Sequence, residues 1–131
     1  MNAELLLHGS LIACVVYFVC MCVAHFAGFK VPILFVYWNV PSHHYQDMII
    51  SFCALTYAIL FAGAAMIRDA VPIALVALAA TVLGLSAVNL SADLRKQIDG
   101  ASTAAYWVQT GMIAALFVWL AFLYARTAEA V

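Results

Sequence analysis

The sequence predicts an all-α integral membrane protein: a four-helix transmembrane bundle with an interfacial or re-entrant segment between helices one and two. Three observations predict it. Charge is sparse, with five Lys/Arg and six Asp/Glu among 131 residues, and 69% of the chain is apolar, for a mean hydropathy of +1.11; soluble domains are about half apolar. The gaps between charges are membrane-sized: 25 uncharged residues from Glu4 to Lys30, 20 from Asp47 to Arg68, 23 from Asp69 to Asp93 and 26 from Asp99 to Arg126. About 20 helical residues cross a bilayer core. The runs are also uninterrupted, which suits helices, whereas a barrel would need roughly ten-residue alternating segments. With short connections there is no room for a second folded unit, so residues 1–131 read as a single membrane domain.

The first span covers about 5–29. Leu11-Ile12-Ala13-Cys14 resembles a lipoprotein cleavage box, but no Lys or Arg precedes it and His8-Gly9-Ser10 interrupts the apolar run, so the segment reads as a retained helix. His8 and His25 are 17 residues apart, roughly 25 Å of helix rise, and belong to opposite ends. Cys14, Phe18, Cys22 and His25 follow helical spacing and form one stripe, read first as lipid-facing or packing residues. Cys14, Cys20, Cys22 and Cys53 all fall within spans, where cysteine behaves as a small apolar packing residue. No loop pair suggests a disulfide.

Residues 30–46 are apolar at first but too short to cross. Pro32 and Pro41 limit them to extended or broken-helix pieces, and Tyr37 and Trp38 favour the headgroup region. Ser42 reads as the N-cap of the second span, about 47–67, with Asp47 favourably near its positive end. His43, Asp47 and His44 are close enough in sequence to share a helix face. Ala54, Ala58 and Ala62 recur every fourth residue and allow another helix to approach closely.

Arg68-Asp69 reads as a tight turn and Pro72 as a first-turn proline of span three, about 70–91. Ala77, Ala80, Gly84, Ala87 and Ser91 form a small-residue stripe there, which places this helix centrally among the others. Asn89 should hydrogen-bond a neighbour. The connection from Ser91 to Thr103 carries Asp93, Arg95, Lys96 and Asp99, with an expected Arg95–Asp99 pair and Gly100 ending any helical extension. Ser102 or Thr103 caps span four, about 104–125, which has Tyr106 and Trp107 at one end, Trp119 and Tyr124 towards the other, and Gln109 one turn in.

Four crossings put His25, His43, His44, Asp47 and Asp93 at one end. Asp93 reads as part of a solvated turn, which leaves His25, His43, His44 and Asp47 as the candidate ligands of a metal ion or haem, with Cys22, Asn89 and Gln109 as polar neighbours. Both termini then share a side. Lys30, Arg95 and Lys96 against Arg68 and Arg126 place that side outside a plasma (inner) membrane. A net charge of −1 without a basic patch argues against nucleic acid. No Asp, Glu, Lys or Arg lies mid-span, so the usual mark of a proton-coupled transporter is missing. The sequence favours a non-catalytic accessory or assembly subunit whose partners are the lipid bilayer and other membrane subunits or its own copies. The alternatives are a metal- or haem-binding redox protein using the histidine-rich end, and an oligomeric channel or carrier for a neutral substrate.

Overall fold

The computed structural model describes residues 2–128. Four of its helices are long and apolar enough to cross a bilayer: α1 (Ala3–Ala27), α2 (His44–Met66), α3 (Val71–Leu90, entered through a 3-10 turn at Arg68–Ala70) and α5 (Ala104–Ala128). The short α4 (Ala92–Gln97) lies between α3 and α5. The long helices alternate in direction and close a ring in which α1 meets α2, α2 meets α3, α3 meets α5 and α5 meets α1.

Local signals set the ends. Asn2 caps α1 by accepting the Glu4 N–H at 3.2 Å, and Gly28 terminates it at φ +74°, with the Phe29 N–H returning to the Ala24 carbonyl at 2.8 Å. The left-handed conformation is cheap for glycine alone. Pro72 sits in the first turn of α3, where its missing N–H forfeits nothing. Ser91 caps α4 through the Leu94 N–H, and Gly100, at φ +76°, follows that helix. Ser102 accepts the Ala104 N–H at 3.1 Å at the start of α5.

The tightest pairing is α1 with α2. Leu7, Leu11, Cys14, Phe18, Met21 and His25 are buried along α1, and Asp47, Ser51, Ala54, Ala58 and Phe61 along α2. Steps alternating between four and three residues are those of an antiparallel coiled-coil seam. Ala54 and Ala58 let the helices close in, whereas Ala62 stands only half-buried beside the seam, which continues through Phe61 and Ala64. Phe18 fills the centre, stacked on Tyr57 at 5.0 Å and on Phe61 at 5.4 Å. At the far end the His8 Nδ1 donates to the Ala65 carbonyl at 3.2 Å.

Helix α3 corrects the sequence reading. It is the least buried of the four, and Ala80, Gly84 and Ala87 face outward. The buried line is Val71, Ala74, Leu78 and Asn89, on the opposite side of the helix. The α1/α2 seam already occupies the centre, and α3 meets the bundle through the narrow line of Val71, Ala74, Leu78 and Asn89, leaving large residues such as Ile73, Val76 and Leu83 exposed as well. Three smaller corrections accompany this one. Cys20 and Cys53 are exposed on outer faces rather than packed. Ser42 is not the cap of α2: His43 holds that position and its N–H donates to the Gln46 side chain. Among the described residues the ion pair on the α4 surface is Lys96–Asp93 at 3.9 Å, not Arg95–Asp99.

Gly28 also packs closely, since a Cβ there would lie 3.4 Å from the His44 ring. Gly28→Ala therefore meets both a left-handed backbone and a neighbour. It should destabilise the protein by about 1–2 kcal/mol, read as a lowered unfolding midpoint in detergent.

Candidate functional site

The connector between α1 and α2 does not lie across the bundle end; it folds back into it. Phe35 is 2% exposed, and its ring stacks on that of His25 at 3.9 Å. Non-helical backbone at membrane depth is tolerated only when buried in protein with its polar groups met. The helices meet them here. His25 Nε2 accepts the Val36 N–H at 3.2 Å, and the Ile33 carbonyl accepts from the Tyr17 hydroxyl at 2.7 Å and from Gln109 Nε2 at 3.5 Å. Ile33 and Tyr37 adopt positive φ, +74° and +54°, a conformation that such side chains hold only when the surroundings impose it.

Two polar networks anchor this element. On the α1/α2 side, Lys30 Nζ donates to Ser42 Oγ at 2.6 Å, and Ser42 Oγ donates to Asp47 Oδ2 at 2.9 Å. The ammonium also lies 5.5 Å over the Phe35 ring. Asp47 is 2% exposed and His25 fully buried, and the Asp47 carboxylate lies within electrostatic reach of the imidazole. On the α3/α5 side, the Tyr37 hydroxyl donates to Asn89 Oδ1 at 2.9 Å, and Asn89 Nδ2 donates to Thr110 Oγ1 at 3.0 Å. The Tyr106 hydroxyl donates to Asn39 Oδ1. Burial, reinforced by Tyr106, pushes the Tyr37 phenol up to about 12.

The structure thus brings together His25 and Asp47 and keeps His43 and His44 exposed. With α2 starting at His44, Asp47 turns inward while His43 remains at the cap, stacked on Tyr45 at 5.9 Å. The expected common face of His43, His44 and Asp47 is therefore not formed. Cys22 is half-buried on α1. Among the described residues no three of His, Cys, Asp or Glu stand close enough to hold one metal ion. The one lone pair of the His25 ring, on Nε2, is engaged by the Val36 N–H, and the ring's one proton then occupies Nδ1. Asn89 and Gln109, singled out from sequence, both bond neighbours. Tyr17, Lys30, Ser42 and Thr110 were not singled out as members of the site; the signal for Thr110 was its place beside Gln109, one turn after Tyr106.

Beside Ile33 the α1/α5 interface opens into a groove of about 350 Å³, lined by Ala13, Cys14, Met112, Ile113 and Leu116 among others. Tyr17 and Gln109 border it at the connector end, and the Trp119 Nε1 donates to Ser10 Oγ at 3.1 Å at the other. It is an apolar space with polar groups only at its ends. Comparison of the chain with protein-family models, with curated proteins and with solved structures returns no match.

Asn89→Ala should leave Tyr37 and Thr110 without their shared partner and destabilise the protein by about 1 kcal/mol, measurable as a shift in unfolding midpoint. A second expectation concerns alkaline pH. The folded phenol of Tyr37 ionises near 12, against an ordinary value of 10.0, so above about pH 10 the unfolded chain releases its proton first. Stability should fall from about pH 10 towards about pH 12, and Tyr37→Phe should flatten that slope in a pH series of unfolding curves.

Proposed function

We propose that this protein is a non-catalytic subunit or assembly partner within a larger membrane complex. The observation that carries the reading is the outward face of α3. Ala80, Gly84 and Ala87 form a small-residue stripe there, and a Cβ built at Gly84 meets nothing within 4 Å. Gly111 and Ala115 do the same on the neighbouring α5. Lipid chains pack as well on large apolar side chains as on small ones, whereas a second helix comes close only over small ones. The polar side chains of the bundle end support the same reading, because Lys30, Ser42, Asp47, Tyr37 and Asn89 are engaged in holding the connector.

A carrier for a neutral, lipid-soluble substrate is the second reading, favoured by the α1/α5 groove. Isolation in mild detergent followed by mass spectrometry separates the two. Co-purifying membrane proteins in fixed ratio support the subunit reading, and a homo-oligomer carrying only a stoichiometric lipid-like molecule supports the carrier. Replacing Ala80 and Gly84 by leucine should lower partner recovery about tenfold or more, equivalent to about 1.4 kcal/mol. The unfolding midpoint of the isolated chain should stay unchanged. Undiminished recovery would remove α3 as the contact.

A further inference from the structure

We propose that His25 and Asp47 form a buried proton-binding site that keeps the connector docked while His25 is neutral and releases it when His25 takes a second proton. The proposal stands on the bundle end and is independent of the subunit reading.

Its basis is a pair of unused atoms. Among the described residues, His25 Nδ1 and Asp47 Oδ1 are the buried side-chain polar atoms without a hydrogen-bond partner. They are complementary. The Val36 N–H can only donate, so His25 Nε2 is bare and the imidazole proton sits on Nδ1, a donor; Asp47 Oδ1 is an acceptor. Leaving such groups buried and unpaired is costly, and more so when one carries charge. Pairing the two is therefore a gain open to any rearrangement that brings them together.

Protonation of His25 drives that rearrangement, because it adds charge to the donor the ring already carries on Nδ1. A proton from the aqueous end binds the Nε2 lone pair, forming one N–H bond, and nothing is oxidised or reduced. The resulting imidazolium has donors on both nitrogens. Its Nδ1–H and the Asp47 carboxylate can join in a charge-assisted hydrogen bond. Its new Nε2–H confronts the Val36 N–H, now 3.2 Å from that nitrogen, and two donors cannot share the position. Val36 loses its acceptor, and Phe35, stacked on the same ring, loses its seat. The connector's strained residues Ile33 and Tyr37 flank these two positions, so undocking also relieves unfavourable backbone.

The surrounding groups are few. Burial of the ring opposes the added charge, as does Lys30 on the connector, held to Ser42 and over the Phe35 ring, while Asp47 from α2 attracts it. His44 from α2 stands beside Gly28, Tyr37 lies on the connector, Tyr106 reaches the connector from α5, and α3 contributes the neutral Asn89. Histidine is the side chain that ordinarily changes charge between about pH 5 and pH 8.

Trp38 reports on the connector, packed edge-on against Tyr106 at 5.3 Å. With Trp107 and Trp119 replaced by phenylalanine, acrylamide quenching of Trp38 is followed from about pH 8 to about pH 4.5 in detergent, with helix content monitored alongside. Quenching should rise reversibly, about threefold or more, on acidification while helix content holds. His25→Gln, whose amide oxygen accepts from Val36 at every pH, should stay docked and flat. His43→Ala and His44→Ala should keep the transition. A flat trace in the parent, a titrating His25→Gln, or loss of the transition in either exposed-histidine variant would overturn the proposal. Should His25→Gln fail to fold, imidazole ¹⁵N spectra of the unmutated ring decide: Nδ1–H at about pH 8 is expected, and an Nε2–H tautomer there would sink the idea.

Discussion

Irregular backbone cannot sit among lipid-embedded helices unless every buried N–H and C=O finds a partner, and the rest of this structure is arranged around that requirement. The connector between α1 and α2 enters the bundle end, and each long helix supplies it with a polar group. Helix α1 gives Tyr17 and His25, α2 gives Asp47 through Ser42, α3 gives Asn89, and α5 gives Tyr106 and Gln109. Positive φ at Ile33 and Tyr37, unfavourable by roughly 1–2 kcal/mol each, is what places Phe35 inward and the Ile33 carbonyl towards two donors. The polar crowding at one end of the chain is thus chiefly a docking apparatus for an apolar loop.

The remaining contacts are uneven. The α1/α2 pair shares a continuous seam with an aromatic centre at Phe18 and Phe61, while α3 and α5 meet the core through fewer buried residues. Between α1 and α5 the packing parts into a groove, and α3 turns Ala80, Gly84 and Ala87 away from the bundle. A chain built this way has one closely packed pair and one pair whose outer faces suit further helices. That division is the physical ground for reading the protein as a part of something larger.

Several features were legible residue by residue. Pro72 and Gly100 marked a helix start and a helix stop, and Asn89 and Gln109 announced neighbours because an amide in hydrocarbon needs a partner. Spacing failed where it had to choose a face. The stripe on α3 was recognisable as small-residue packing, yet the same spacing serves a contact inside the bundle or outside it. Ser42 looked like a cap because serine before a helix usually is one; the chain instead uses its hydroxyl to join Lys30 to Asp47.

The sequence alone determined the number of crossings, their alternation and the end at which the polar residues gather, because span length and charge spacing depend on the thickness of the apolar layer and on little else. It also determined that a short, proline-bounded apolar segment would follow the first span. Only the tertiary structure decided that His25 and Asp47 are both buried along the α1/α2 seam while His43 and His44 stay outside. In water an amphipathic helix orients itself by its apolar face. These helices are apolar all round, so their rotation about their own axes follows from packing at the α1/α2 seam and from the hydrogen bonds the connector demands, neither of which spacing along the chain records.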